Sequence, residues 1–301
     1  LVQLKQTKKM KETKEIKKIK KIKKIKVEII DGIRTAIFPN YNELSIPQYL
    51  PLEDTRNNVI FTYDTKVYDF RKIIIDIFAT VDDNFDIDSV IENDNDNKSE
   101  KRSVYESEFE SEEDIRLNKL LHKLHEINGN NYGNYNSKYH LAYTTITCPH
   151  SIKNTIQQDL YNRYIKLIYD FNYNIIAPLM KTTSNNIIYQ RTPTLRISKP
   201  FDIAMGHPHI DYEYHHQLSE INIWIPICDV YNENSLYVET IPMKGDFKPI
   251  NIKYGQCYRF WGNQCRHYTV PNSTDNTRIS IDLRVIEKHR YNPDFHDSRG
   301  K

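Results

Sequence analysis

Between residues 187 and 286 the chain breaks into eight short apolar segments, and this spacing constrains the fold more than any other feature. The segments are 187–197, 203–211, 220–227, 235–240, 248–254, 256–261, 266–270 and 277–286. Turn formers separate them: Lys199-Pro200, Asn232 to Asn234, Lys244-Gly245-Asp246, Gly255, Gly262-Asn263 and Pro271-Asn272. Eight short strands that each bury one face must pair as two sheets, which predicts a β-sandwich or jelly roll. The last segment alternates most cleanly. Ile279, Ile281, Leu283 and Val285 fall on one side, and Arg278, Ser280, Asp282 and Arg284 on the other. A polar face on a core strand calls for an internal ligand cavity.

Upstream the period changes. Ser111 followed by Glu112, Glu113 and Asp114 is a helix start, Leu117, Leu120, Leu121, Leu124 and Ile127 share a face, and Gly129 ends the helix. A longer helix is expected over about 151–176, with Ile152, Ile156, Leu160, Leu167, Phe171 and Ile175 on its buried side and Pro178 just past its end. The predicted class is therefore mostly β with flanking helices (α+β), on a double-stranded β-helix core. Residues 1–28 form a Lys/Ile low-complexity tail, expected to be disordered, because Ile16, Ile19, Ile22 and Ile25 recur every three residues and make no straight helical stripe. Residues 29–110 form an N-terminal region, with a flexible acidic insertion around 82–114. Residues 111–186 hold the flanking helices and 187–290 the core, so that 111–290 reads as one domain.

Charge and cysteines narrow the function classes. Residues 1–26 carry twelve Lys against Glu12 and Glu15, a net +10, so the overall +2 leaves the rest at −8, with no general attraction to nucleic acid. Cys148, Cys228, Cys257 and Cys265 form no CxxC pair, and an intracellular, cytoplasmic setting with reduced thiols is expected. No run of eighteen apolar residues predicts a membrane span, and no apolar leader is evident. The chain starts on Leu, consistent with a fragment.

The chemistry concentrates in GHPHIDYEYHH, residues 206–216. On a strand His209 and Asp211, two residues apart, face the same side and can reach one ion. His267, in a later strand, supplies a third ligand. Two imidazoles and one carboxylate on one face of an octahedral metal leave three positions open, the pattern of non-haem Fe(II) oxygenases. Arg278 follows His267 by eleven residues, with Ser280 on the same strand face. This pair suits the far carboxylate of a 2-oxo acid, Arg by a charge-assisted fork and Ser by a hydroxyl donor. His207 is the alternative to His209, since it too shares a face with Asp211, and a surface histidine cluster without metal is the blander reading. His215 and His216 are expected at the surface or behind the ligands.

Six stretches carry a resemblance to a known family: YQRTPTLRI (189–197), HPHIDYEYHH (207–216), EINIWIPICDVYNENSLYVE (220–239), GDFKPI (245–250), YGQCYRFWGNQCRHYTVPN (254–272) and TRISIDLRVI (277–286). The chain resembles the phytanoyl-CoA dioxygenase-like members of the 2-oxoglutarate/Fe(II)-dependent oxygenases, within them the streptomycin-biosynthesis StrG-type branch. The resemblance implies a metal triad of His209, Asp211 and His267 and a 2-oxoglutarate clamp at Arg278 and Ser280, with Fe(II), 2-oxoglutarate and O2 as cofactors. It implies hydroxylation of a small-molecule substrate with release of succinate and CO2. Because Asp211 keeps the carboxylate that halogenating relatives replace by a small residue, hydroxylation is the better expectation than halogenation. Asn222 and Trp224 share a face and are cofactor-side candidates. Arg196 and Arg284 suit either an anionic substrate or buried ion pairs with a carboxylate such as Asp282 or Glu239. Tyr189 and Gln190 are further candidates. The competing readings are a cupin-like metal enzyme that does not use 2-oxoglutarate, and a non-catalytic jelly-roll binding protein. No membrane or nucleic-acid partner is expected.

Overall fold

A computed structural model describes residues 26–30, 33–37, 57–81, 112–122, 155–201 and 207–295. The chain divides into two compact units, Leu1–Tyr49 and Leu50–Lys301. In the first, β1 (Lys26–Ile30) and β2 (Ile33–Ile37) pair as an antiparallel hairpin. The hairpin begins inside the segment expected to be tail, and residues 1–25 lie outside the described ones, as do 82–111 of the acidic insertion.

The second unit is mixed α+β with antiparallel sheets. Its elements are β3 (Val59–Thr62), α1 (Phe70–Val81), α2 (Glu112–His122), α3 (Thr155–Phe171), β4 (Ile187–Tyr189), β5 (Thr194–Ser198), β6 (Ile221–Pro226), β7 (Tyr237–Val238), β8 (Lys248–Pro249), β9 (Gln256–Phe260), β10 (His267–Tyr268) and β11 (Arg278–Glu287). The larger sheet runs β3-β9-β6-β11-β4, with β5 also paired to β11, and the smaller runs β10-β7-β8. Among the described residues no helix is long and apolar enough to cross a membrane.

β11 organises the unit. One edge pairs with β6, from Ser280 opposite Pro226 to Val285 opposite Ile221. The other edge is shared by β5, over Arg278 to Asp282, and β4, over Val285 to Glu287. The single strand expected over 187–197 is thus broken in two. Pro193 has no N–H to give a ladder and biases the preceding residue, so the chain leaves the sheet after Tyr189 and re-enters at Thr194. The strand expected over 203–211 is absent among the described residues; 202–206 lie outside them, and His209 makes only an isolated bridge.

The apolar face of β11 (Ile279, Ile281, Leu283, Val285) joins one buried cluster with Ile221, Ile223 and Ile225 of β6 and with Ile74, Ile77, Leu120, Leu121, Tyr164 and Ile168 of the helices. Burial on this scale is the main stabilising term, about 25 cal/mol for each Å² of apolar surface removed from water. α3 buries Leu160 and Phe171 of the expected stripe, with Leu167 and Ile175 partly buried against the core. Tyr161, Tyr164 and Ile168 also face inward, while Ile156 is 63% exposed. Past Phe171 the helix widens into a π-turn over Asn172–Ile176, where the Asn172 side-chain amide donates to the Ile168 carbonyl at 2.8 Å. Leu124, Ile127 and Ile152 lie outside the described residues.

Arg71 and His122 tie the helices to the sheet. The buried Arg71 guanidinium donates to the carbonyls of Ile227 and Asp114, and the Thr277 N–H, just before β11, donates to the His122 carbonyl at 2.7 Å. With its apolar face against the helices, β11 presents Arg278, Ser280, Asp282 and Arg284 to the opposite side.

Candidate metal centre

His209 and His267 face each other across a two-bond antiparallel bridge: each backbone N–H donates to the other's carbonyl, at 3.2 and 3.0 Å. Directly opposed residues put their side chains on the same face, and the imidazole centroids are 4.4 Å apart. Asp211 reaches the same point by another route. It is not on a strand; it opens a 3₁₀ turn, Asp211–Tyr214, whose first N–H donates to the Gly262 carbonyl at 2.9 Å. The turn ends at His215 in the left-handed region (φ 65°). The expectation that strand alternation aligns His209 with Asp211 is therefore corrected: the bridge places one ligand and the turn the other.

The result is a buried group of one ligand atom each from His209, Asp211 and His267, all within 4.8 Å of one another. Both imidazoles are held alike. Nδ1 of His209 lies 3.0 Å from the His207 carbonyl, and Nδ1 of His267 3.1 Å from the Cys265 carbonyl. A carbonyl only accepts, so each Nδ1 carries the proton and each Nε2 keeps its lone pair for an ion, the arrangement that orients metal-binding histidines. Asp211 Oδ2 accepts from Asn222 Nδ2 at 2.8 Å and Arg284 Nε at 3.0 Å, while Oδ1 lies 3.6 Å from His267 Nε2.

Electrostatics keep the ligands in their binding forms. Burial, reinforced by His267 alongside, pushes His209 down to about 3, so its ring is neutral. Burial alone would raise Asp211, but the charge of Arg284 and the hydrogen bonds from Arg284 and Asn222 outweigh it and hold the carboxyl well below the usual carboxylate range.

Around this group lies a cavity lined by Leu236, Phe260, Trp224, Thr269, Arg278 and Asp282 among others. Arg278 is 2% exposed, yet among the described residues its guanidinium makes one hydrogen bond, Nη1 to the Asn234 carbonyl at 3.3 Å, with Nε left without a partner and the ring of Trp224 6.0 Å away. Ser280 Oγ is also buried and unpartnered. Asn222, expected beside a cofactor, lines the cavity and donates to Asp211. Arg196 pairs with Asp282, as one of the two ion-pair options had it, whereas Arg284 pairs with Asp211 rather than with Asp282 or Glu239. His207 is outside the ligand group; it bonds Tyr214 Oη at 2.8 Å and lends its carbonyl to His209. His216 pairs with Glu220, and Tyr189 and Gln190 do not line the cavity.

Two contributors escape a sequence reading. Glu239 is fully buried and accepts from the Arg266 N–H at 2.6 Å and the Gly245 N–H at 3.0 Å, fixing the backbone just before His267. Gly262 sits so close to Asn222 that a Cβ there would lie 2.7 Å from its carboxamide. A charged residue closing an apolar strand is the only hint of the first, and a Gly-Asn turn the only hint of the second.

The ligand set is the two-histidine, one-carboxylate kind found in non-haem iron proteins. In sequence the chain is homologous to the streptomycin biosynthesis protein StrG of Streptomyces griseus, with 29% identity over 147 residues, 46% of this chain and 70% of that protein. No protein-family model matches. Among solved structures, it is similar to a non-haem monooxygenase, the ThoJ–nickel complex (16% identity, 49% of this chain and 66% of that one, TM-score 0.33). It is also similar to the α-ketoglutarate-dependent epimerase SnoN from nogalamycin biosynthesis (16%, 43% and 56%, TM-score 0.34). A third is EvdO2 from Micromonospora carbonacea var. aurantiaca complexed with 2-oxoglutarate (15%, 46% and 62%, TM-score 0.30). The chain thus spans 56–66% of the length of these three, and superpositions this loose carry no argument.

Proposed function

We propose that the chain is an Fe(II)- and 2-oxoglutarate-dependent oxygenase that hydroxylates a small molecule, its two sheets forming a double-stranded β-helix core over about 187–290 with 111–186 as flanking helices. One observation carries this reading: the two histidines of a two-histidine, one-carboxylate group and a buried, under-bonded guanidinium line the same cavity. A buried guanidinium is costly unless an anion meets it, and an unpaired hydroxyl on the same strand face adds a second donor. A dicarboxylic 2-oxo acid supplies both a metal-chelating end and a carboxylate for Arg278 and Ser280. Homology to StrG over 147 residues supports the same assignment.

In this reading Nε2 of His209, Nε2 of His267 and Oδ1 of Asp211 hold the iron, and the donor set fits a metal that changes oxidation state without losing its ligands. Bound ferrous iron with a 2-oxo acid and O2 supplies an oxidation able to functionalise a C–H bond, with succinate and CO2 as co-products. The protein does the rest. His207 and Cys265 carbonyls fix the imidazoles, Asn222 and Arg284 fix Asp211, Arg278 fixes the cosubstrate's far end against Trp224, and Phe260 and Leu236 exclude water. Arg196 and Asp282 border the same space and would meet polar groups of the substrate.

The test is succinate release from 2-oxoglutarate with Fe(II), ascorbate and O2, alongside mass spectrometry for products one oxygen heavier. Turnover that depends on both the metal and 2-oxoglutarate supports the assignment. Metal-dependent turnover without succinate would favour the cupin-like alternative instead.

A further inference from the structure

Asp211 has two oxygens, and the structure treats them differently. Oδ2 is taken up by two donors, Asn222 Nδ2 at 2.8 Å and Arg284 Nε at 3.0 Å. Oδ1 is the oxygen nearest His267 Nε2, at 3.6 Å. The carboxylate can therefore offer an ion one oxygen, because the other would have to surrender two buried charge-assisted hydrogen bonds, one of them from a guanidinium. The backbone reinforces the choice: the Asp211 N–H is anchored on the Gly262 carbonyl, and Gly262 has no side chain, which lets the Asn222 carboxamide lie where a Cβ would collide with it at 2.7 Å.

Arg284 is set up for this and not for a free anion. It is on β11, paired on both edges, so its Cα cannot drift. Its opposite number across the ladder to β6 is Asn222 itself, so the two donors arrive at Oδ2 from directly facing positions on one sheet. Its Nε is committed to Asp211, and Asp282 and Glu220 add negative charge nearby.

We infer that Arg284 is a positioning residue which, together with Asn222, confines Asp211 to one metal-facing oxygen and so reserves a coordination position that a chelating carboxylate would fill. This rests on the metal-site reading above. Two imidazoles and a one-oxygen carboxylate leave three positions of an octahedral ion for water or reactants; a two-oxygen carboxylate leaves two.

Mn(II) is the probe, because its inner-sphere waters are counted by water-proton relaxation without any turnover. In the wild-type chain we expect three exchangeable waters per bound Mn(II). In Arg284→Met the relaxivity per bound ion falls by about a third and the dissociation constant rises about tenfold, the lower end of what losing such a supporting partner costs. Arg284→Lys, which restores one charged donor, recovers most of both, and Asn222→Ala shifts both in the same direction by less. Melting of the metal-free proteins checks that the chains are folded; if Arg284→Met does not fold, the Arg284→Lys and Asn222→Ala pair carries the comparison. Unchanged relaxivity in the variants overturns the inference, even if affinity falls, since Arg284 would then only stabilise the site. A wild-type chain that binds no Mn(II) or Fe(II) overturns the metal reading itself, and this inference with it.

Discussion

The two walls of the site are built on opposite plans. His209, Asp211 and His267 come from an isolated bridge, the start of a 3₁₀ turn and a two-residue strand, segments with little ladder of their own. Facing them, Arg278, Ser280, Asp282 and Arg284 come from one ten-residue strand paired on both edges. On the first wall nearly every polar atom is tied: Nδ1 of each imidazole to a carbonyl, Oδ2 of Asp211 to two donors, and Glu239 to the Arg266 N–H beside His267 and to the Gly245 N–H. On the second wall the backbone fixes the positions, and Arg278 Nε and Ser280 Oγ are left without partners. Irregular backbone needs side-chain bonds to hold a geometry, whereas a regular strand can hold unsatisfied groups in place for a ligand.

Substitutions on the two walls should then behave differently. The largest effect is expected on the first: Asp211→Ala or His267→Ala abolishes metal binding, seen as loss of the Fe(II) isotherm, since two remaining ligands cannot define the site. Next comes Arg278→Met. It weakens 2-oxoglutarate binding by roughly 30-fold or more, as expected for a buried charge pair worth at least about 2 kcal/mol, while Fe(II) affinity stays near wild type. Because the guanidinium is buried and under-bonded without an anion, the ligand-free variant melts no lower than the wild type. A lower melting point would mean Arg278 is structural, and the contrast between the walls would fail. Gly262→Ala sits third. The new methyl displaces Asn222, loosens Asp211 and costs about tenfold in metal affinity, with 2-oxoglutarate binding to the loaded protein little changed.

The last effect is on acid stability, small near neutral pH and growing as pH falls. His209 is held at about 3, far below an unfolded histidine, and burial lowers His122 as well. Unfolding captures protons at both sites below about pH 6.5, so the metal-free protein loses stability steadily as pH falls from there toward 3. His209→Gln removes part of that slope and leaves the part due to His122, which melting curves across the range separate.

The contrast also explains what could be read from the amino-acid sequence. The polar face of β11 was legible from its period of two, and with it the place of Arg278 and Ser280 opposite an apolar core. The three metal-ligand candidates were legible as residue types, but the reason for their convergence was not. A strand through 203–211 was expected to align His209 with Asp211, whereas the alignment depends on the His209–His267 bridge and on the bond from Asp211 to Gly262, contacts between residues more than fifty apart. Non-local partners also decided Arg284, whose carboxylate is Asp211, 73 residues away, and not a neighbour on its own strand. The helices were legible in existence and less so in facing: in α3, Leu160 and Phe171 are buried as the spacing implied, but Tyr161, Tyr164 and Ile168 share the inward side and Ile156 is exposed. The broken β4–β5 segment carried its signal in Pro193.

The account stands most directly on whether both walls serve one ligand set. An anaerobic titration of Fe(II) and then 2-oxoglutarate, followed by the visible charge-transfer band that a chelated 2-oxo acid gives on ferrous iron, tests it in one cuvette. One iron per chain should bind, the band should grow to one equivalent of 2-oxoglutarate, and it should vanish in His267→Ala and require far more 2-oxoglutarate in Arg278→Met. Iron that binds without ever giving the band, or a band indifferent to Arg278, would contradict it.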